Sequence, residues 1–255
     1  MKLQDRVAVV TGGGTGIGRG ISLAFGREGA RVVVNYSKSR DAANEVVAEI
    51  CAAGGSAIAI AADVSIDAEA RAMMDDVGRR FGRLDVLVNN AGWSTRIPHE
   101  RLEDLTDEIW NRTLDTNLRG PFYCMRAAAG WLRKQPGSAI INVASVAGLT
   151  GSGSSIAYAA SKGGLMTMTK SFARVLAPEV RVNTIAPGFV RTRFANWPSS
   201  AFDEGEAITP MGKLPTGDEL GATAVYLAAD ATATTGETIV VDGGLAELGP
   251  HRQRT

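Results

Sequence analysis

Two histidines, two cysteines and no uninterrupted apolar run of membrane-spanning length are the conspicuous shortages of this 255-residue chain. His99 and His251 stand alone, and Cys51 and Cys124 are far apart with no metal-ligand or redox spacing. A protein-ligated zinc is thereby excluded, and the thiols read as reduced groups of an intracellular protein. Charge of one sign is also lacking: 27 basic residues balance 27 acidic ones. Without a net field there is no pull on polyanions, so nucleic acid is excluded as a partner. The roughly 18 apolar residues of a membrane span occur nowhere, and "MKLQDRVAVVTGGG" holds no signal-type run. The expectation is a cytoplasmic protein with no membrane contact. No Pro/Gly/Ser-rich linker and no repeat divides the chain, so residues 1–255 are expected to form one domain.

What is present is a regular alternation. "RVAVVTG" (6–12), "RVVVNY" (31–36), "SAIAIAADV" (56–64), "LDVLVNN" (84–90), "SAIINVAS" (138–145), "VRVNTIAPG" (180–188) and "ETIVVDGG" (237–244) read as strands. The early ones are separated by about 15 to 20 residues of helical periodicity, the length a right-handed crossover needs. Nearly continuous apolar strands imply a sheet covered on both faces. The fold class is α/β, a doubly wound, seven-stranded parallel sheet. The stretch 191–217 is irregular, with three prolines and three glycines, and reads as a flap over a site or as a plain surface connection.

Strand one runs into "TGGGTGIGRG", in which Gly12, Gly16 and Gly18 fit a TGxxxGxG turn. Gly12 permits the turn, Gly16 lets backbone N–H groups approach a pyrophosphate, and Gly18 allows close packing of the following helix. Thr15 and Ile17 lie between them, and Thr15 stands where a basic phosphate ligand is common. Strand two ends on Asn35, followed by Tyr36, Ser37, Lys38, Ser39 and Arg40. An acidic residue there would repel a 2′-phosphate, and its absence favours NADP(H) over NAD(H), with Ser37 and Lys38 or Arg40 as phosphate ligands. The competing reading makes Ser37 or Ser39 the N-cap of the second helix. Asp63 after strand three is an N-cap or an acceptor for the adenine amino group, with Val64 packing on the ring. In "NNAG", Asn89 suits tying strand ends together, and Ala91 and Gly92 leave room for a ribose.

Ser145 follows strand five at the carboxyl edge, where ligands of such sheets bind. Tyr158 comes thirteen residues later and Lys162 one helical turn after it, on the same face. Singly, these could be a turn former, a half-buried aromatic and a snorkelling charge. Together with "VTGGGTGIG", "NNAG", "YAASK", "NTIAPGFVRT" and "GETIVVDGG", in this order and spacing, they make the chain resemble the short-chain dehydrogenases/reductases of roughly 250 residues. The resemblance covers nearly the whole chain. It implies a Rossmann-like domain, a nicotinamide cofactor and a catalytic tetrad of Asn117, Ser145, Tyr158 and Lys162. It further implies that Pro187 and Gly188 turn beneath the nicotinamide, that Val190 and Thr192 bind its carboxamide, and that Asn117 holds a relay water. A homotetramer is the family's usual assembly, using the helices after strands four and five and the "VDGG" region; the tail "AELGPHRQRT" joins that interface or is disordered.

The residue types give the chemistry. A phenol ordinarily ionises near ~10; an ammonium at Lys162, joined by the positive nicotinamide ring, is expected to bring Tyr158 toward working pH, and Ser145 to hydrogen-bond the same substrate oxygen. The reaction is hydride transfer between nicotinamide and a ketone or secondary alcohol. Trp93, Ser94, Arg96, Thr150, Phe194 and Trp197 are the candidate substrate wall, beside Ser145 and Tyr158. Members acting on 3-oxoacyl thioesters and on sugars or cyclic alcohols are the most similar, and Arg126 and Arg174 are candidate contacts for an acyl carrier protein. Two other classes remain: a nicotinamide-binding regulatory protein without catalysis, and an epimerase or dehydratase that uses the cofactor transiently.

Overall fold

The computed structural model describes residues 1–250; His251 and the rest of the C-terminal stretch lie outside the described residues. Seven strands form one sheet in the order β3-β2-β1-β4-β5-β6-β7, every neighbouring pair parallel. They are β1 (Val7–Val10), β2 (Arg31–Tyr36), β3 (Ser56–Ala61), β4 (Val86–Asn89), β5 (Ser138–Val143), β6 (Val180–Pro187) and β7 (Thr238–Val241). The helices are α1 (Gly16–Arg27), α2 (Arg40–Ala52), α3 (Asp67–Phe81), α4 (Asp107–Leu114), α5 (Gly120–Leu132), a single turn α6 (Ala147–Thr150), α7 (Ile156–Leu176), α8 (Ser199–Ile208), α9 (Gly217–Val225) and α10 (Leu245–Leu248).

Side chains alternate across each strand, so one sequence feeds two cores. Ala8, Val10, Val32, Val34, Val86 and Val88 pack with Ile21, Phe25 and Leu220 of α1 and α9. Val7, Val9, Val33 and Leu87 pack with Met74, Val77, Met125 and Leu176 of α3, α5 and α7. This is why the strands read as continuous apolar runs rather than alternating ones. The strand order reverses between β1 and β4, and the cleft opens there, outside the carboxyl ends.

Two local features differ from the sequence expectation. The region 191–217 is not irregular throughout, since Ser199–Ile208 forms α8 and Arg191 ties to it through Asp203 and Glu206, both at 2.7 Å. The long helix after strand four is not one α-helix either. A π turn, Asp115–Arg119, joins α4 to α5, and Asn117 sits in its middle. Pro121 has no N–H, so in an α-helix the Asn117 carbonyl would lack its donor four residues on, and the backbone shifts register here.

Candidate active site

The head of α1 is built to face an anion. Thr15 is its N-cap but makes no side-chain capping bond, and no acidic residue occupies the first turn. By contrast Ser155, Thr106 and Thr216 cap α7, α4 and α9 with side-chain bonds. The N–H groups of α1 therefore point unspent into the cleft. Gly12 and Gly16 have φ of +59° and +52°, the left-handed region that favours glycine. A Cβ at Gly18 would stand 2.3 Å from the Gly12 carbonyl oxygen, so the turn lies flush on its helix only because Gly18 has none.

A single cavity of about 1420 Å³ runs from this turn to the catalytic candidates. Gly12, Thr15, Gly16, Ile17, Ser37, Lys38, Asp63 and Val64 line it, as do Ala91, Gly92, Ser145, Tyr158, Lys162, Pro187, Gly188, Val190 and Thr192, with Thr192 and Ala91 against the glycine turn itself. Volume, the uncapped helix and the bare glycine turn fit a dinucleotide.

At the second end, α7 presents Tyr158 and Lys162 toward the end of β5. Its N-cap, Ser155, is fully buried and accepts from the Tyr158 N–H at 3.2 Å, which fixes where the helix starts. Lys162 is buried, and its Nζ donates to the Val143 carbonyl at 2.9 Å and lies 5.6 Å from the Tyr158 ring centroid. Burial pulls the Lys162 ammonium down to about 8. The same burial pushes the Tyr158 phenol up to about 12, against an opposing hydrogen bond with Ser145. Desolvation is the larger cause of the Tyr158 shift in the chain alone, and the expected lowering counts the positive ring of a bound nicotinamide together with Lys162. The Ser145 hydroxyl is itself placed by the Ala147 N–H at 3.2 Å. Asn117, fully buried, accepts from the Trp93 N–H at 2.7 Å and donates to the Trp93 carbonyl at 2.9 Å and to Ser161 Oγ at 3.2 Å. It pins the loop after β4 to α7.

A family model described as Enoyl-(Acyl carrier protein) reductase matches residues 12–246. A 3-oxoacyl-(acyl-carrier-protein) reductase of Synechocystis is 39% identical over 248 residues, 95% of this chain and 98% of that protein. One from Staphylococcus aureus is 40% identical over 246 residues, with 95% and 98% covered. The crystal structure of a short-chain dehydrogenase/reductase from Burkholderia xenovorans superposes with a TM-score of 0.89 at 37% identity, covering 94% of this chain and 98% of that one. The chain belongs to the short-chain dehydrogenase/reductase family. It is an NAD(P)-dependent oxidoreductase.

Within this dehydrogenase/reductase several expected residues do other work. Asn35 is buried; its Oδ1 accepts from the Gly12 N–H at 3.2 Å, and its Nδ2 donates to the Ala62 and Ile60 carbonyls. It holds the glycine turn to β2 and β3 and also lines the cavity. Asn89 donates to Asn142 Oδ1 at 2.8 Å behind the cleft, the strand tie expected of it, while Asn90 lines the cavity and donates to the Thr11 and Gly12 carbonyls. The N-cap reading of Asp63 is corrected: α3 starts at Asp67 after Ile66, and Asp63 Oδ1 accepts from the Ser65 N–H and hydroxyl. Thr150 bonds to Val146 and Ser152 on α6, outside the cavity. Trp93 and Trp197 line the cavity, and Arg96 lies over Trp197, its Cζ 5.2 Å from the ring centroid. The sequence reading missed Asn90, Asn111, Arg112, Ser154 and Phe189. Asn90 was legible in "NNAG"; Asn111 and Arg112 enter only because α4 crosses the mouth of the cleft.

Proposed function

We propose that the chain reduces a ketone to a secondary alcohol with NADPH, Tyr158 giving the proton. The group formed by half-buried Ser145 and Tyr158 with buried Lys162, facing an uncapped helix head across one cavity, carries this reading. A reduced nicotinamide supplies the hydride that the carbonyl carbon gains. The Tyr158 phenol, protonated up to about pH 12, is an acid rather than a base in the resting chain, which suits reduction. As the proton passes to the substrate oxygen, the Lys162 ammonium and the Ser145 hydroxyl favour the phenolate left behind. Asn117 keeps α7 and the Trp93 loop in register and, by family resemblance, holds the water that returns the proton.

Selectivity for NADP(H) rests on the wall beyond β2, where Ser37 and Lys38 line the cavity and no carboxylate ends the strand. Lys38 has no ion-pair partner among the described residues. The relatives named as 3-oxoacyl-(acyl-carrier-protein) reductases make 3-oxoacyl thioesters the first substrate class to test. Arg126 offers little to an acyl carrier protein, because its guanidinium donates to Asp67 at 2.6 Å and lies 4.9 Å over the Phe122 ring. Arg174 is exposed on α7. The test is NADPH oxidation across a 3-oxoacyl thioester, a sugar lactone, a cyclic ketone and an aromatic ketone, repeated with NADH. Turnover with a clear NADPH preference is expected, and a preference for NADH would overturn the reading of Asn35 to Lys38.

A further inference from the structure

The substrate half of the cleft carries guanidinium groups that no carboxylate neutralises. Arg112, on α4, lies with its Cζ 4.2 Å from the centroid of the Trp93 ring, and Arg96 lies 5.2 Å from that of Trp197. Arg112 and both tryptophans line the cavity, and Arg96 stands on the outer face of the flap tryptophan. Among the described residues neither arginine takes part in an ion pair. Their neighbours do: Arg191 is matched by Asp203 and Glu206, and Asp115 is matched by Arg119. On this wall Glu108 is the one carboxylate without a basic partner, set against two guanidinium groups without an ion-pair partner among the described residues, Arg112 and Arg193. In a chain whose total charge is zero, that local excess needs a reason.

Stacking supplies the physical argument. A guanidinium held against a ring by its face keeps its N–H donors free in its plane, in the fork that matches carboxylate or phosphate oxygens. Ordering the long side chain in advance lowers the entropy lost when an anion arrives. The Trp93 platform is itself fixed, because both its backbone polar groups bond to the Asn117 side chain. Asn117 in turn reaches α7 through Ser161. The anion fork is therefore registered against the helix that carries Tyr158.

We infer that the substrate bears an oxyanion, a carboxylate or a phosphate, away from its reacting carbonyl, and that Arg112 on Trp93 binds it. The inference rests on the ketone-reductase reading and narrows its substrate class. It is tested by kcat/KM with NADPH on two matched pairs: 4-oxopentanoate against its methyl ester, and acetoacetyl-4′-phosphopantetheine against acetoacetyl-pantetheine. The anionic member of at least one pair is expected to be preferred about tenfold or more, chiefly through KM. Preference in the first pair assigns the anion to the substrate itself; preference in the second assigns it to a carrier arm. Arg112→Met abolishes the preference, and Arg112→Lys, which keeps the charge without the flat fork, restores part of it. As a measurement that needs no variant, added KCl raises KM for the anionic member and leaves the neutral one unaffected. Turnover of both pairs without preference, or a preference that survives Arg112→Met, overturns the inference. No turnover of any of the four overturns the ketone-reductase reading instead.

Discussion

In the proposed reduction, burial sets the working range of the Tyr158 and Lys162 pair. Between Lys134 and Lys170 the sequence holds no other formal charge than Lys162, so nothing local offsets its desolvation, and its pKa falls to about 8. A base whose pKa is lowered on folding is charged only below the lowered value. Ketone reduction needs that charge to receive the phenolate, while the phenol itself stays protonated to about pH 12. The kcat/KM for reduction is therefore expected to fall as pH rises through about 8, and Tyr158→Phe is expected to lower it about 10²–10⁴-fold at every pH. A profile flat to pH ~10, near the ordinary lysine value, would show that Lys162 is not the group that sets the limb. The residue types and their spacing were legible in the sequence. The direction of the Tyr158 shift was not, because it depends on how much protein surrounds the phenol.

At the scale of elements, the helix contacts turn on glycines. A Cβ on Gly20 of α1 would lie 2.3 Å from the Gly217 carbonyl oxygen and 2.4 Å from its carbon, at the head of α9. Helix propensity alone makes alanine better than glycine by about 1 kcal/mol. The contact reverses the sign, because backbone cannot turn aside as a side chain can. Gly20→Ala is expected to destabilise the fold by about 1–3 kcal/mol in denaturant unfolding, and a gain in stability would show that α1 and α9 are not in backbone contact. The π turn at Asp115–Arg119 has the same kind of origin. The sequence carried its signal, Pro121 four residues after Asn117, but the apolar spacing from 107 to 132 is compatible with one unbroken helix. α8 was missed because the punctuation at Pro198 and Pro210 obscured the ten helical residues Ser199–Ile208.

On the scale of the whole molecule, apolar groups stay outside the two cores. α5 and α7 leave Phe122, Tyr123 and Phe172 half-buried and Val175 65% exposed; the other end of the sheet leaves Tyr226 and Val240 44% and 40% exposed. We propose that the first of these, on the helices after strands four and five, joins a homotetramer as the family resemblance implies; sedimentation at micromolar concentration is expected to give that tetramer, and a monomer would overturn it. Among the described residues no helix is long and apolar enough to cross a membrane. The sequence by itself determined the seven strands, the glycine turn and the Ser145, Tyr158 and Lys162 set, because these depend on local periodicity and on residue types whose chemistry is fixed. Only the tertiary structure decided that Asn35 ties the glycine turn to β2 and β3, that Asn90 lines the cleft, and that Arg112 and Arg96 lie over the Trp93 and Trp197 rings. Those outcomes depend on which groups of distant segments meet and on what water they exclude.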